Sequence, residues 1–454
     1  MTRIQRLPRL SIVLAFGLAL NGGRGAAQVT APPIRLTLGD AARAAVEHSA
    51  AADIGRARVD EAKARVRQAR SVLLPNITGS LLQTGRTFNT ATLGIKFPSA
   101  PGAPPLFDPN GQVEGPVNAT DLRGRVSQTL FDQSARTRVS ALEAGVTAAS
   151  AEATSAGEQA AASAAIAYVR AQRAEAHLRS RVADSTLSAD LLAIARDLLA
   201  AGVGIALDVT RAQSQLAGVR AQLIAARNDR ARSRLELLRA IGRPLDTPIE
   251  IADSLAAPDA VSSPSEQAAV DAALHQRTDV RSAEQQLAAI RQQISAIRAE
   301  RLPTLGLFAD QGAIGKSPAH PLLTYSYGVQ LSVPIFDGFR RASRIEEQAA
   351  VARQVEIRER ELREQIAVEV RSALLDLSSA REQVDAVRER VRLSEQEVVQ
   401  ARDRLAAGVA GNADVISASL SLSGARTSLV DAETAYQTAR VALARAQGTI
   451  TSLK

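Results

Sequence analysis

The sequence contains no cysteine and no tryptophan, one methionine and four histidines in 454 residues. Without cysteine there is no disulfide framework, no thiolate zinc site and no lipid-modified N-terminal cysteine. His48, His177, His275 and His320 are scattered, and none has metal-ligand spacing to another. No metal or cofactor is therefore expected. Aromatic residues make up 3% of the chain, too few for the bulky core of an ordinary globular domain of this size. After the first few dozen residues no apolar run approaches the roughly 20 residues a membrane helix needs. The Gly202-Val203-Gly204 stretch lacks the preceding strand and following lysine of a phosphate loop, and no Gly-x-Ser-x-Gly elbow occurs. An enzyme is not expected. Basic residues are interspersed with acids along helical stretches instead of gathered beside aromatics, so nucleic acid is not an expected partner.

What the chain has instead is alanine, leucine and valine, which favour long helices packed in narrow seams. At the start, Arg3, Arg6 and Arg9 precede the apolar run Leu10 to Leu20, followed by Gly25, Ala26 and Ala27. This reads as a signal peptide over residues 1–27; the run is too short for a membrane anchor. Losing Arg3, Arg6, Arg9 and Arg24 with that leader takes the net charge from +8 to +4. A mature chain that enters a membrane without an apolar helix must do so as strands.

The chain repeats itself. Arg196-Asp197-Leu198-Leu199-Ala200-Ala201-Gly202-Val203 returns as Arg402-Asp403-Arg404-Leu405-Ala406-Ala407-Gly408-Val409, and both continue to an Asp-Val pair, Asp208-Val209 and Asp414-Val415. Val126 to Asp132 returns as Leu331 to Asp337, and Leu74-Pro75 as Leu302-Pro303. The order of three matches argues for duplication. The division expected is a first repeat over 28–241, an equatorial linker over 242–264 rich in proline, and a second repeat over 265–454. Each copy reads helix, strand, loop, strand, long helix, sharp turn, helix. The first helices are placed at Leu38 to Ser71 and Ser265 to Arg301, and the long ones at Gln133 to Ala201 and Arg340 to Ala407. The first-copy loop, with Pro98, Pro101, Pro104, Pro105 and Pro109, is longer than its counterpart near Gly312 to Pro321.

Heptads run through the long helices. Val384, Val391, Val398 and Leu405 recur every seven residues, as do Val415, Leu422, Leu429, Tyr436 and Leu443, with alanines at the second seam position. In Tyr325 to Val333 apolar residues alternate with small or polar ones, and Gln330 falls on the polar face. In Leu122 to Gln128, Arg123 and Arg125 share one face, opposite Leu122 and Val126. This is the lipid-out, water-in alternation of a spanning strand, although a half-buried soluble sheet has it too. Four such strands cannot close a barrel alone, since the smallest have about eight.

Taken together, the Leu-Pro pairs, the Val333-Pro334-Ile335-Phe336-Asp337-Gly338-Phe339-Arg340 junction and the two Ala-Gly-Val turns make the chain resemble the TolC-like outer-membrane efflux protein family, over about Leu36 to Ile450. The resemblance implies a mainly α fold with a small β contribution, and a homotrimer whose twelve strands form one barrel continued by an α-helical tunnel. It implies an outer-membrane duct extending into the periplasm, in contact with outer-membrane lipid. Its partners would be a periplasmic adaptor, docking at Gly202, Val203, Asp208, Gly408, Val409 and Asp414, and an inner-membrane pump. Arg123, Arg125 and Gln330 would face the lumen. Gly202 and Gly408 suit helix C-caps, and Asp208 and Asp414 can cap the following helix or favour its dipole. Asp414, repeated around an axis, is also a candidate for an acidic ring at the pore constriction. Carboxylate and arginine positions found at the gate of some members are Ser417 and Ala410 here, so gate details do not transfer. The rival readings are a periplasmic adaptor and a soluble coiled-coil scaffold.

Overall fold

The computed structural model describes residues 33–93, 110–256, 265–407, 409 and 411–453. The leader, the tip of the first-copy loop, the end of the linker and Gly408 lie outside the described residues.

Helices come in pairs where one was expected. The first is split into α1 (Leu38–His48) and α2 (Ala50–Ser71), and its repeat into α5 (Glu266–Gln276) and α6 (Thr278–Ala299). The breaks fall at Ser49 (φ −70, ψ 150) and Arg277 (φ −65, ψ 130), both extended. Ser49 ends one helix through its N–H and caps the next through its hydroxyl, which accepts from Ala52 N. Seam periodicity does not register a one-residue break of this kind, because the apolar face resumes in phase.

The long elements follow the heptads. α3 (Gln133–Ala200) turns into α4 (Ala206–Ala240), and α7 (Arg340–Ala406) into α8 (Asn412–Ala446). At about 1.5 Å per residue, α3 and α7 are each roughly 100 Å long. Val384, Val398, Val415, Leu422 and Tyr436 are buried, as are Ala418, Ala425, Ala432 and Ala439 on the second seam. α3 is the central helix, packing on α2 and α6 at one level and on α4 and α8 at another; α7 packs on α6 and α8. The alanine-rich middle of α3 lets those neighbours come close: Ala161, Ala164, Ala165 and Tyr168 are inaccessible to solvent in the main core, with Leu237, Ile249 and Ile450 beside them.

An unexpected ribbon clasps this core. β1 (Ile34–Leu36) pairs in parallel with β4 (Ile249–Ile251), bringing the chain start to the linker. The buried Tyr168 hydroxyl donates to the Leu36 carbonyl at 2.8 Å and accepts from Asp253 N at 3.2 Å. Gln172 and Gln437 donate to linker carbonyls, and Leu255 is buried beside Ala176 and Val430. The described part of the linker is thus stitched onto the helices, not set apart from them.

The sheet is four-stranded and antiparallel, in the order β2 (Asn76–Asn89), β3 (Val113–Phe131), β5 (Thr304–Gly315), β6 (Leu322–Ser332). Each Leu-Pro pair stands immediately before a strand, where proline's missing N–H leaves no gap in the ladder. No helix among the described residues is long and apolar enough to cross a membrane.

Candidate functional site: the hairpin tips and the two faces of the sheet

At the first tip α3 ends in a complete Schellman motif. Gly202 has φ +78, the Val203 N–H bonds to the Leu198 carbonyl at 3.1 Å, and the Gly202 N–H bonds to the Leu199 carbonyl at 3.1 Å. At the second tip the Val409 N–H bonds to the Arg404 carbonyl at 3.0 Å, the equivalent long bond, spanning Gly408. Val203 and Val409 are exposed, and Ile205 and Leu207 extend the apolar surface at the first tip.

Asp208 and Asp414 do not cap. The N-cap residues are Ile205 and Gly411, neither with a side-chain bond, and both aspartates lie in the first helical turn. Of the two roles open to them, the favourable interaction with the helix dipole remains. Asp208 is also 3.7 Å from Arg211. The two hairpins meet where buried Asn412 approaches the Asp208 carbonyl with its amide nitrogen, at 3.5 Å. Its Oδ1 has no hydrogen-bond partner among the described residues.

Higher up, α3 and α8 are tied by a buried carboxylate that sequence reasoning missed. Asp184 accepts from Ser423 at 2.7 Å and pairs with Arg181 at 3.2 Å and Arg426 at 3.5 Å. Arg181 reaches on to Ser423 and Thr427, both at 2.8 Å, and Arg426 to Glu395 of α7 at 3.3 Å. Nothing in the local sequence separates Asp184 from the many solvated acids of these helices.

The sheet separates charge from hydrocarbon. Where β2 and β3 pair without interruption, and along β5 and β6, the charged residues are Arg86, Asp121, Arg123, Arg125 and Asp310. Registry puts all five on one face, together with Ser326 and Gln330. The other face carries Ile77, Leu81, Leu122, Val126, Tyr325, Tyr327, Val329 and Leu331, all exposed. Thus Arg123, Arg125 and Gln330 share a face. Asp310, which the sequence did not flag, is at its centre. It pairs with Arg123 at 2.5 Å and Arg125 at 3.4 Å, and accepts from Ser326 at 2.7 Å. A lone carboxylate at a polar position of an otherwise apolar strand was the available signal.

An antiparallel sheet with one largely apolar face open to its surroundings, and the charges of its regularly paired region on the other, suits lipid on one side and water on the other. Comparison with known proteins agrees. Residues 44–243 and 269–449 match the family model described as outer membrane efflux protein. The alkaline protease secretion protein AprF of Pseudomonas aeruginosa is 30% identical over 257 residues, 52% of this chain and 50% of that one. The chain thus spans about half the length of this curated relative. Among solved structures, the outer membrane protein VceC of Vibrio cholerae superposes with a TM-score of 0.68 at 20% identity, over 90% of this chain and 96% of that one. The CmeC outer membrane channel of Campylobacter jejuni gives 0.70 at 16% identity, over 91% and 85%. With the family model covering both repeats and the fold shared along nearly the whole chain, this protein belongs to the outer membrane efflux protein family and resides in the outer membrane, extending into the periplasm.

Proposed function

We propose that three copies of this chain close head to tail into a passive exit duct. Its twelve-stranded barrel lies in the outer membrane and its helical tunnel spans the periplasm. The observation that carries this reading is where the chain leaves open edges. The sheet ends in β2 on one side and β6 on the other. In the helical layer beside it, α2 and α7 are the outermost elements; further along, α4 and α7 are. At each level one open edge belongs to the first repeat and the other to the second. Such an arrangement is completed by heterologous contacts that close into a ring. A long strand edge left unpaired in hydrocarbon would cost several kcal/mol per unsatisfied group, so closure is required, not optional.

In this duct Arg123, Arg125 and Gln330 face the lumen, and Asp414 lines the constriction at the tip. The exposed Gly202–Val203 turn and the exposed Val409, with Gly408 before it in sequence, receive a periplasmic adaptor, which joins the duct to an inner-membrane pump. The assembly serves efflux or, as the name of its Pseudomonas relative indicates for that protein, secretion. The duct itself catalyses no reaction and needs no cofactor.

Fractionation of cells making the full chain tests this, followed by gel electrophoresis of the outer-membrane fraction without heating. The expected result is a band of three chains' mass that collapses to one on heating. A soluble periplasmic monomer would overturn the proposal.

A further inference from the structure

The charged face of the sheet is layered. Asp310, its side chain 1% exposed, lies beneath Arg123 and Arg125, whose side chains are 24% and 57% exposed. Two glycines make this possible. Gly312 faces Arg123, and a Cβ there would stand 2.6 Å from the Leu122 carbonyl oxygen; the bare backbone leaves Arg123 room to lie across β5 and reach Thr324 at 3.4 Å. Gly328 does the same for Phe308, whose ring lies 3.0 Å from where a Cβ would be. The Arg125 guanidinium in turn stands over that ring, 6.0 Å from its centroid. Asp121, Arg123, Asp310 and Arg125 sum to zero, but Asp310 is underneath and the guanidinium of Arg125 is on top, while Asp121 is about as exposed as the Arg123 it pairs with. Arg86 adds a further cation with no ion pair among the described residues.

We propose that the barrel wall presents a cationic surface to its lumen, set by Arg125 over the buried Asp310, and that it favours anionic over cationic cargo. This rests on the barrel reading above. Neutralising Arg125 uncovers a cluster of net charge −1, and neutralising Asp310 leaves one of +1, so the two changes act in opposite directions.

The absence of native cysteine allows a direct test. Ser127→Cys places a thiol two residues from Arg125 on the same strand face. In intact cells it is labelled from outside with membrane-impermeant methanethiosulfonates, one anionic and one cationic, each rate normalised to that of a small free thiol. A unit charge about 7 Å away in screened water changes the anionic-to-cationic ratio by roughly two- to five-fold. The ratio is expected to exceed one in the parent, fall by that factor with Arg125→Gln, and rise with Asp310→Asn. Each variant is read only in preparations that keep the heat-sensitive oligomer band. Ratios unchanged by both substitutions would overturn the proposal. A thiol at Ser127→Cys inert to both reagents, while Val329→Cys on the opposite face reacts, would instead overturn the barrel reading on which it rests.

Discussion

Two ion pairs join the same two helices, α3 and α8, and physical chemistry assigns them very different weights. Asp184 is 4% exposed and meets Arg181, which is 11% exposed, together with Arg426 and the Ser423 hydroxyl. Asp431 accepts two bonds from Arg173, at 2.8 and 3.1 Å, which is better nominal geometry, but both side chains are about half exposed. Removing one member of a buried pair strands its partner's charge, at a cost of about 3–5 kcal/mol. Arg426 keeps Glu395 when Asp184 is lost, so the lower figure applies to Asp184→Ala, about 3 kcal/mol. The solvated Asp431–Arg173 pair should contribute no more than about 1 kcal/mol whatever its geometry.

Hydrogen exchange of the α8 amides from Ser423 to Val430, in the detergent-solubilised protein, reads the difference. Asp184→Ala should speed exchange through local opening by about two orders of magnitude, and Asp431→Ala by less than about five-fold. A double substitution with Arg181→Met should recover part of the loss, because the stranded charge goes with its partner. Equal effects of Asp184→Ala and Asp431→Ala would refute the reasoning, since burial would then not decide the strength of these pairs.

Two further expectations follow from single residues. Gly202 has φ +78 with open space where a Cβ would stand, so Gly202→Val carries backbone strain of about 1–2 kcal/mol and no clash; it should weaken adaptor capture in a pull-down while leaving the heat-sensitive oligomer intact, and capture equal to the parent's would count against a docking role for the turn. Glu158 is a half-buried acid beside the helix break at Arg277: partial burial pushes its carboxyl above the ordinary range, while the Thr278 hydroxyl, donating at 2.6 Å, pulls the other way. A carboxyl raised in the fold contributes stability below its unfolded pKa and loses it as pH rises through the folded value. Glu158→Gln should therefore raise the melting temperature at pH 7 and give no such gain near pH 4; a gain independent of pH would show that charge burial is not the cause.

How much of this was legible beforehand depends on whether a pattern or a partner sets the feature. Seams and strands are patterns. Val384, Val398 and Leu422 announce their burial by seven-residue spacing, and Arg123 and Arg125 their shared face by two-residue spacing, because helix and strand geometry turn spacing into direction. The Gly202 cap was legible as well, since a turn after a long helix calls for a residue tolerant of positive φ. Partners are another matter. Asp184 matters because Arg426 arrives from 242 positions away, and Tyr168 because Asp253 does; no local window holds either fact. The one-residue break at Ser49 was invisible for a third reason: serine both caps helices and tolerates their interiors, so its identity does not choose between the two.

The two repeats share an architecture, yet their junctions between strand and long helix differ, and the difference is informative about what duplication preserves. In the first copy Asp132 is the N-cap of α3, accepting from Ala135 N at 2.9 Å. In the second, the matching Asp337 lies three residues before α7. Gly338 and Phe339 both take positive φ, and Asp337 accepts instead from the Arg341 backbone at 3.0 Å and its side chain at 2.7 Å. Arg341 then donates to the Glu300 carbonyl at the end of α6, and Arg344 pairs with the Glu300 carboxylate at 2.8 Å. The aspartate thus anchors a helix start in both copies, but in the second it does so through an arginine that also locks the end of α6. A left-handed phenylalanine is a strained conformation, and the arginine bridge is what holds the chain there. The element kept in both copies is therefore the carboxylate at the strand-to-helix corner, while the route by which it meets the helix was free to change.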